Sequence, residues 1–304
     1  QSFVATWWDV DRDGDLDLYS VKDRGDILQP ARLFLNPGDF AHPWEEVAAD
    51  WMLDLPADGM GVAVADVDGD GRDEVVVSDN WTRIHVMAVD ADIGLASPVA
   101  GAIGVTPYDP LNQRTSWGME FADMDNDGDQ DLVMAFGEMA HMVDERSHRE
   151  ALWLWNGSRF VGARDLLGLE PRRNGSSRSP VPADLDGDGT LDLLFSQHLG
   201  SPLLLFGQDN GNGWLEVDLA GRRGNRDGLG ATIDVLGLDG RMQRRVLGSG
   251  TSGVHGSTPP WVHFGLGAEH GVAGLRVQWP DGSLSELGAL DGDRRVVVTH
   301  PSLP

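Results

Sequence analysis

Short apolar runs recur along the first two thirds of the chain in a fixed order. FVATWW, MGVAVA, WGMEFA and SPVPA each precede an acidic, glycine-containing stretch, and a second run follows it: LDLYSV, EVVVSD, DLVMAF and LDLLFS. A third run often comes later: RLFLN (Arg32 to Asn36), RIHVMAV (Arg83 to Val89), ALWLWNG (Ala151 to Gly157) and PLLLFG (Pro202 to Gly207). These runs are short, rich in β-branched and aromatic residues, and bounded by Gly, Asp and Asn, which predicts strands. The acidic stretches begin at Asp9, Asp66, Asp123 and Asp184, spacings of 57, 57 and 61 residues. Several short strands repeated at one such period predict the blades of a β-propeller. DERSHREALWLW is the best candidate for a helical turn, and nothing longer has helical periodicity.

The pattern changes near QDNGNG (Gln208 to Gly213). WLEVDL, ATIDVL, RRVL, WVHFG, LRVQW and RRVVV alternate apolar and polar residues, and turns such as LDGR and PDGS lie between them. Such alternation predicts half-buried strands joined by hairpins. The expected organisation is all-β: propeller blades over 1–211 and a smaller β domain over 212–304.

The acidic stretches keep a register. Counting the first Asp as position 1, carboxylates fall at positions 1, 3, 5 and 9, with glycine at 6. The sets are Asp9, Asp11, Asp13 and Asp17; Asp66, Asp68, Asp70 and Glu74; Asp123, Asp125, Asp127 and Asp131; and Asp184, Asp186, Asp188 and Asp192. Like charges packed this densely cost folding free energy unless a cation offsets them. Alternate residues of a curving loop point the same way, and glycine at 6 permits the positive φ of the turn. Position 7 (Asp15, Arg72, Asp129 and Thr190) varies in type and adds a backbone carbonyl. An oxygen-only set of this size favours Ca²⁺, with about four ions per chain, over Mg²⁺. An EF-hand would need Glu at position 12, where this chain has Ser20, Val77, Met134 and Phe195. The predicted ion site is therefore a loop feeding a strand.

Charge narrows the partners. The net charge of −26 over 304 residues argues against nucleic acid and anionic membrane surfaces. No apolar run is long enough to span a membrane, and the absence of cysteine excludes disulfides and thiolate metal sites. Gln1 is not an initiator methionine, so the chain is expected to be processed or cut from a longer one.

DVDGDGRDEVVV and its siblings resemble the FG-GAP or VCBS repeat of integrin-α-like propellers. The tail stretches NRDGLGATIDVL (Asn225 to Leu236), VLGSGTSGVHGSTPPWVHFGLG (Val246 to Gly267) and LRVQWPDG (Leu275 to Gly282) resemble the ASPIC/UnbV domain. The combination is similar to the cartilage acidic protein family and its bacterial relatives. The resemblance implies calcium in each loop and a propeller that in the family usually has seven blades. Residues 1–211 provide for about four, which leaves a smaller ring, blades missing before Gln1, or a second chain completing the ring. The tail reads TSGVHGSTPP where many relatives carry an aromatic or polar residue, which puts a binding role of that turn in doubt.

The remaining candidates are weaker. His255, His263 and His270 lie on different strands or turns and form no ligand pattern. No P-loop, G-x-S-x-G, H-E-x-x-H or CxxC occurs. Glu120 and Glu138, carboxylates outside the loops, are expected at a surface or rim. Trp7, Trp8, Trp81, Trp117, Trp153 and Trp155 recur near equivalent blade positions and are expected mainly in inter-blade cores, with a carbohydrate-stacking or protein-contact surface as the alternative. RRNGSSRSP (Arg172 to Pro180) reads as a basic, flexible loop, with an anion or partner contact as the alternative. The expected function is a non-catalytic, calcium-stabilised binding or adhesion module for protein or glycan, secreted, periplasmic or at the cell surface. The alternatives are an enzyme with a propeller-face site and an assembly module that completes its ring with another chain.

Overall fold

The computed structural model describes residues 2–25, 27–39, 41–79, 83–105, 115–137, 150–168, 176–198, 200–248, 253 and 256–303. Four antiparallel sheets follow one another along the chain. The first holds β1 (Ser2–Trp8), β2 (Asp17–Lys22), β3 (Arg32–Leu35) and β4 (Glu45–Glu46). The second holds β5 (Val62–Ala65), β6 (Asp73–Ser78), β7 (Ile84–Asp90) and β8 (Leu95–Pro98). The third holds β9 (Thr115–Ala122), β10 (Asp131–Gly137), β11 (Ala151–Trp155) and β12 (Phe160–Gly162). The fourth has three strands among the described residues: β13 (Ser177–Ala183), β14 (Asp192–Gln197) and β15 (Leu203–Leu205). The first strands of the sheets adjoin in chain order, β1 to β5 to β9 to β13. This is propeller architecture.

Burial of the second strands explains their unbroken apolar runs. Val75 and Val77 of β6 enter a core shared with the first blade, while Val76 between them enters the core shared with the third. Leu132 and Met134 of β10 repeat this toward the second blade, and Val133 and Ala135 toward the fourth. Alternate residues point to opposite faces, and each middle blade is sandwiched between two others, so both faces must be apolar. The first strand of a blade has an edge free of ladder bonds, which is why β13 tolerates Pro180 and Pro182.

The tail forms two sheets over one core that contains Leu215, Val217, Ile233, Val235 and Phe264. One sheet joins β16 (Gly213–Ala220) to β19 (Trp261–Gly267) and, in parallel, to β23 (Arg294–Thr299). The other runs β18 (Met242–Val246), β17 (Thr232–Gly237), β20 (Gly271–Gln278) and β21 (Leu284–Leu287), with β22 (Leu290–Asp291) also on β20.

Three expectations are corrected. In DERSHREALWLW the described end is strand β11; the charged end lies outside the described residues. The described end of RRNGSSRSP is no basic loop but the start of β13. There Arg178 is buried, lies 3.9 Å over the Trp117 ring and donates to Ser177 O (3.0 Å). Trp8, Trp117, Trp153 and Trp155 are buried, but Trp7 is 41% exposed and meets Trp44 edge-on at 6.1 Å. Trp81, Glu138 and His255 lie outside the described residues.

Candidate functional site

Each acidic loop is the hairpin between the first and second strands of its blade. The closing pairs are Trp8 with Asp17, Ala65 with Glu74, Ala122 with Asp131, and Ala183 with Asp192. The position-9 carboxylate thus opens the second strand. It accepts from the backbone N–H at position 2 in all four loops: Val10 (2.9 Å), Val67 (3.2 Å), Met124 (2.9 Å) and Leu185 (2.9 Å). In three loops its other oxygen accepts from the backbone just beyond the third strand or at its end, at Asn36, Trp155 and Gly207. It therefore staples three strands together.

The front of the loop is equally regular. The position-1 carboxylate accepts from the glycine N–H at position 6: Gly14, Gly71, Gly128 and Gly189. Position 3 accepts from the N–H of position 5, and position 5 from that of position 7, in every copy. Positions 4 and 6 both have positive φ, with Arg12, Gly69, Asn126 and Gly187 at position 4. The glycine at 6 was expected there; the second left-handed residue was not, because Arg12 and Asn126 disguise it.

These turns gather carboxylates. Oxygens of Asp9, Asp11 and Asp13 lie within 4.8 Å of one another, as do those of Asp66, Asp68 and Asp70, of Asp123, Asp125 and Asp127, and of Asp184, Asp186 and Asp192. Asp17, Glu74, Asp131 and Asp188 stand outside these groups. Each is engaged by backbone N–H groups, although a carboxylate oxygen keeps a second lone pair for another partner. At position 7, Arg72 bonds Asp70, Asp129 is paired with Arg241 (2.8 Å), and Thr190 donates to Asp188 (2.6 Å), leaving the backbone carbonyl as the oxygen that position shares across loops.

The groups fit a hard divalent cation. Oδ1 of Asp66 and Oδ1 of Asp123 are buried without a hydrogen-bond partner. Burial, then neighbouring carboxylates, raise the pKa of Asp9, Asp11, Asp66 and Asp125. Burial also raises Asp17 and Asp123 to about 7, Glu74 to about 8 and Asp131 to about 9. A bound cation would supply the missing countercharge and the missing partner at once.

The third loop is also a docking point for the tail. Gly265 N–H donates to Asp123 Oδ2 (2.9 Å), Gly267 N–H to Asn126 O (2.8 Å), and Arg241 to Asp127 O (2.7 Å). His263 Nε2 lies 2.7 Å from Asn126 Oδ1, and Asn212 donates to Asp125 O (2.9 Å). Asn126 in turn donates to Gly189 O of the fourth loop (2.9 Å). His270 pairs at the surface with Asp293 (2.7 Å). Gly253, within TSGVHGSTPP, sits against Gly118 of β9 and Ser179 of β13.

Between the propeller and the tail lies a cavity of about 470 Å³. The ends of all four first strands line it, with Trp7, Val64, Glu120 and Pro182 among them; the tail covers it with Arg245, Thr258, Trp261 and Gln278. Glu120 is therefore not at a surface or rim: it faces this cavity, and burial pushes its carboxyl up to about 8.

Residues 9–77 match the family described as FG-GAP-like repeat, and residues 221–303 match that described as ASPIC and UnbV. The first match lies in the first two blades and the second in the tail sheets. The chain is 29% identical to cartilage acidic protein 1 of Homo sapiens over 88% of its length, and 26% identical to that of Xenopus tropicalis over 88%. It spans only 40% and 41% of those relatives. Among solved structures, it resembles the BP39L lectin of Burkholderia pseudomallei at a TM-score of 0.43 and 11% identity, covering 98% of this chain and 88% of that one. At that TM-score the likeness carries no argument about a ligand. No helix among the described residues is long and apolar enough to cross a membrane.

Proposed function

We propose that this chain is a calcium-stabilised, non-catalytic binding module that works outside the cell or in the periplasm and recognises a protein or glycan ligand. The observation that carries the reading is the fourfold repetition of one loop geometry, with three convergent carboxylates at the same hairpin of every blade. Asp9, Asp11 and Asp13, their counterparts in the second and third loops, and Asp184, Asp186 and Asp192 in the fourth would hold the ion. The position-9 carboxylate would tie it to the strands. The cation would offset carboxylate repulsion and stiffen the turn, and sites of this kind suit the high calcium outside cells. Residues 1–211 would be the propeller and 212–304 the second domain. The matching relatives are named as acidic proteins of cartilage, which is in keeping with an extracellular role.

Metal content together with thermal melting tests this. About four Ca²⁺ per chain, and a melting temperature that falls on chelation and returns with Ca²⁺ but not Mg²⁺, are expected. No bound calcium, or no shift, would refute it. A second reading is assembly with another chain. It is favoured by β15, the outer strand of the three-stranded blade, beside which Leu204 and Phe206 are exposed. A monomer by solution mass would remove its basis.

A further inference from the structure

The cavity between blades and tail contains charge that the protein leaves unspent. Glu120 has no hydrogen-bond or ion-pair partner among the described residues. Among the described residues, Arg245 donates to Arg244 O (3.0 Å) and Gln243 Oε1 (3.4 Å), lies 5.5 Å over the Phe264 ring, and has no carboxylate at ion-pair distance. The other charged or titratable groups lining the cavity are engaged elsewhere: His263 Nε2 lies 2.7 Å from Asn126 Oδ1 and its Nδ1 3.8 Å from Glu216 Oε1. Arg244 is bidentate to Asp234 (2.7 and 3.1 Å), and Asp73 accepts from the Trp8 indole (2.7 Å). Arg12 is exposed to solvent, and Asp9, Asp13, Asp66 and Asp123 belong to the cation loops. One carboxylate and one guanidinium therefore remain. Burial raises the first to about 8, and burial lowers the second to about 10 against the pull of Asp123.

We propose that this cavity binds an uncharged, polyhydroxylated ligand the size of a mono- or disaccharide, a site that rests on the glycan side of the function proposed above. A hydroxyl group both donates and accepts, so one ligand can give to Glu120 and receive from Arg245. A purely cationic or anionic ligand would satisfy one of the two and burden the other, because a buried charge without its partner is costly. Neutral polar side chains, Thr6, Thr258 and Gln278, extend the hydrogen-bonding wall. Trp7 and Trp261 line the wall with aromatic surface for the C–H face of a sugar ring, Trp261 carrying the Arg295 guanidinium 4.2 Å over its ring. The volume of about 470 Å³ lies within the range of about 300–1,000 Å³ usual for small-ligand sites. The tail acquires a role here, since it brings Arg245 and Trp261 to the cavity.

The test uses the whole calcium-loaded chain. Saturation-transfer NMR and calorimetry would be run with glucose, galactose, mannose, N-acetylglucosamine, lactose, cellobiose and chitobiose, and with glycine and putrescine as charged controls. At least one sugar should bind with a Kd of about 1 mM or tighter. Glu120→Gln should weaken it by about tenfold or more without lowering the melting temperature, and Arg245→Met should weaken it too. Sugar binding that survives Glu120→Gln undiminished would overturn the site while leaving a glycan-binding module in place. Binding of putrescine or glycine alone would overturn the ligand class. If no sugar binds a chain that holds its calcium, the inference and the glycan side of the proposed function fall together, and protein recognition remains. A chain without calcium would instead refute the proposed function at its first step.

Discussion

Substituting Gly265 by alanine tests how the third loop and the tail are joined. A Cβ built there would lie 2.3 Å from Asp123 Oδ2 and 2.4 Å from Asn126 Cα, against 3.4–4 Å for ordinary contact. About 1 Å of separation must open between β19 and the loop. Overpacking of this kind costs about 1–3 kcal/mol. The same movement strains the bond from Gly265 N–H to Asp123, a carboxylate only 2% exposed, and a bond to a charged group contributes about 1.5–3 kcal/mol. Together these give about 2.5–6 kcal/mol, or roughly 5–24 °C in melting temperature for a chain of this size. Gly274→Ala is the matched control. It lies in the same domain, but its added methyl would meet only Leu287 O at 3.5 Å, so a change within about 0.5 kcal/mol is expected. Thermal unfolding in excess calcium measures both. Proteolysis across 206–212 reports whether the tail has come away from the blades. The reasoning is refuted if Gly265→Ala melts together with Gly274→Ala.

Three further outcomes are expected. Removing calcium at a concentration about a hundredfold above Kd forfeits about 2.7 kcal/mol per site, so four sites amount to roughly 11 kcal/mol, comparable with the whole stability of a domain. Scanning calorimetry with and without chelator measures this, and a change near that of one site alone would contradict independent, equivalent loops. The calcium-free chain should lose stability as pH rises. The folded pKa values of Asp17, Glu74, Asp123 and Asp131, about 7 to 9, exceed the ordinary 3.8 and 4.5, so the folded state holds more protons between about pH 4 and 9. Its melting temperature should fall across that window, and the gap to the calcium-loaded chain should widen; a flat profile would show that these carboxylates are not strained. Arg72→Ala should raise the calcium affinity of the second loop severalfold, because Arg72 Nε holds Asp70 Oδ2 at 2.8 Å and competes with the ion. Calorimetric titration would resolve it, and unchanged affinity would mean that the pair yields freely.

Much of the carboxylate geometry was legible along the chain because the grouped residues are neighbours. Asp123, Asp125 and Asp127 converge through one turn, whose shape depends on Gly128 and the hairpin that closes at Asp131. The four copies at a near-constant period also exposed the blades, since each repeat must bury two faces against its neighbours. The apolar run EVVV carries that in its own composition: Val75, Val76 and Val77 serve two cores. Position 9 was harder to read. A carboxylate in register with the others serves as well to staple backbone N–H groups, and only the strand pairing distinguishes the two uses.

What lies between the elements belonged to tertiary structure alone. Arg178, in a stretch that reads as a basic loop, is buried over Trp117, because β13 begins earlier than its serines suggest. Glu120 resembles any surface carboxylate in sequence; it faces a cavity because three other strand ends and the tail sheets surround it. Gly265 and Asp123 are 142 positions apart, and no local pattern couples them. Short-range chemistry is determined by spacing, which a sequence displays. Cavities and docking surfaces are determined by which distant faces meet, and that depends on the packing of the whole chain.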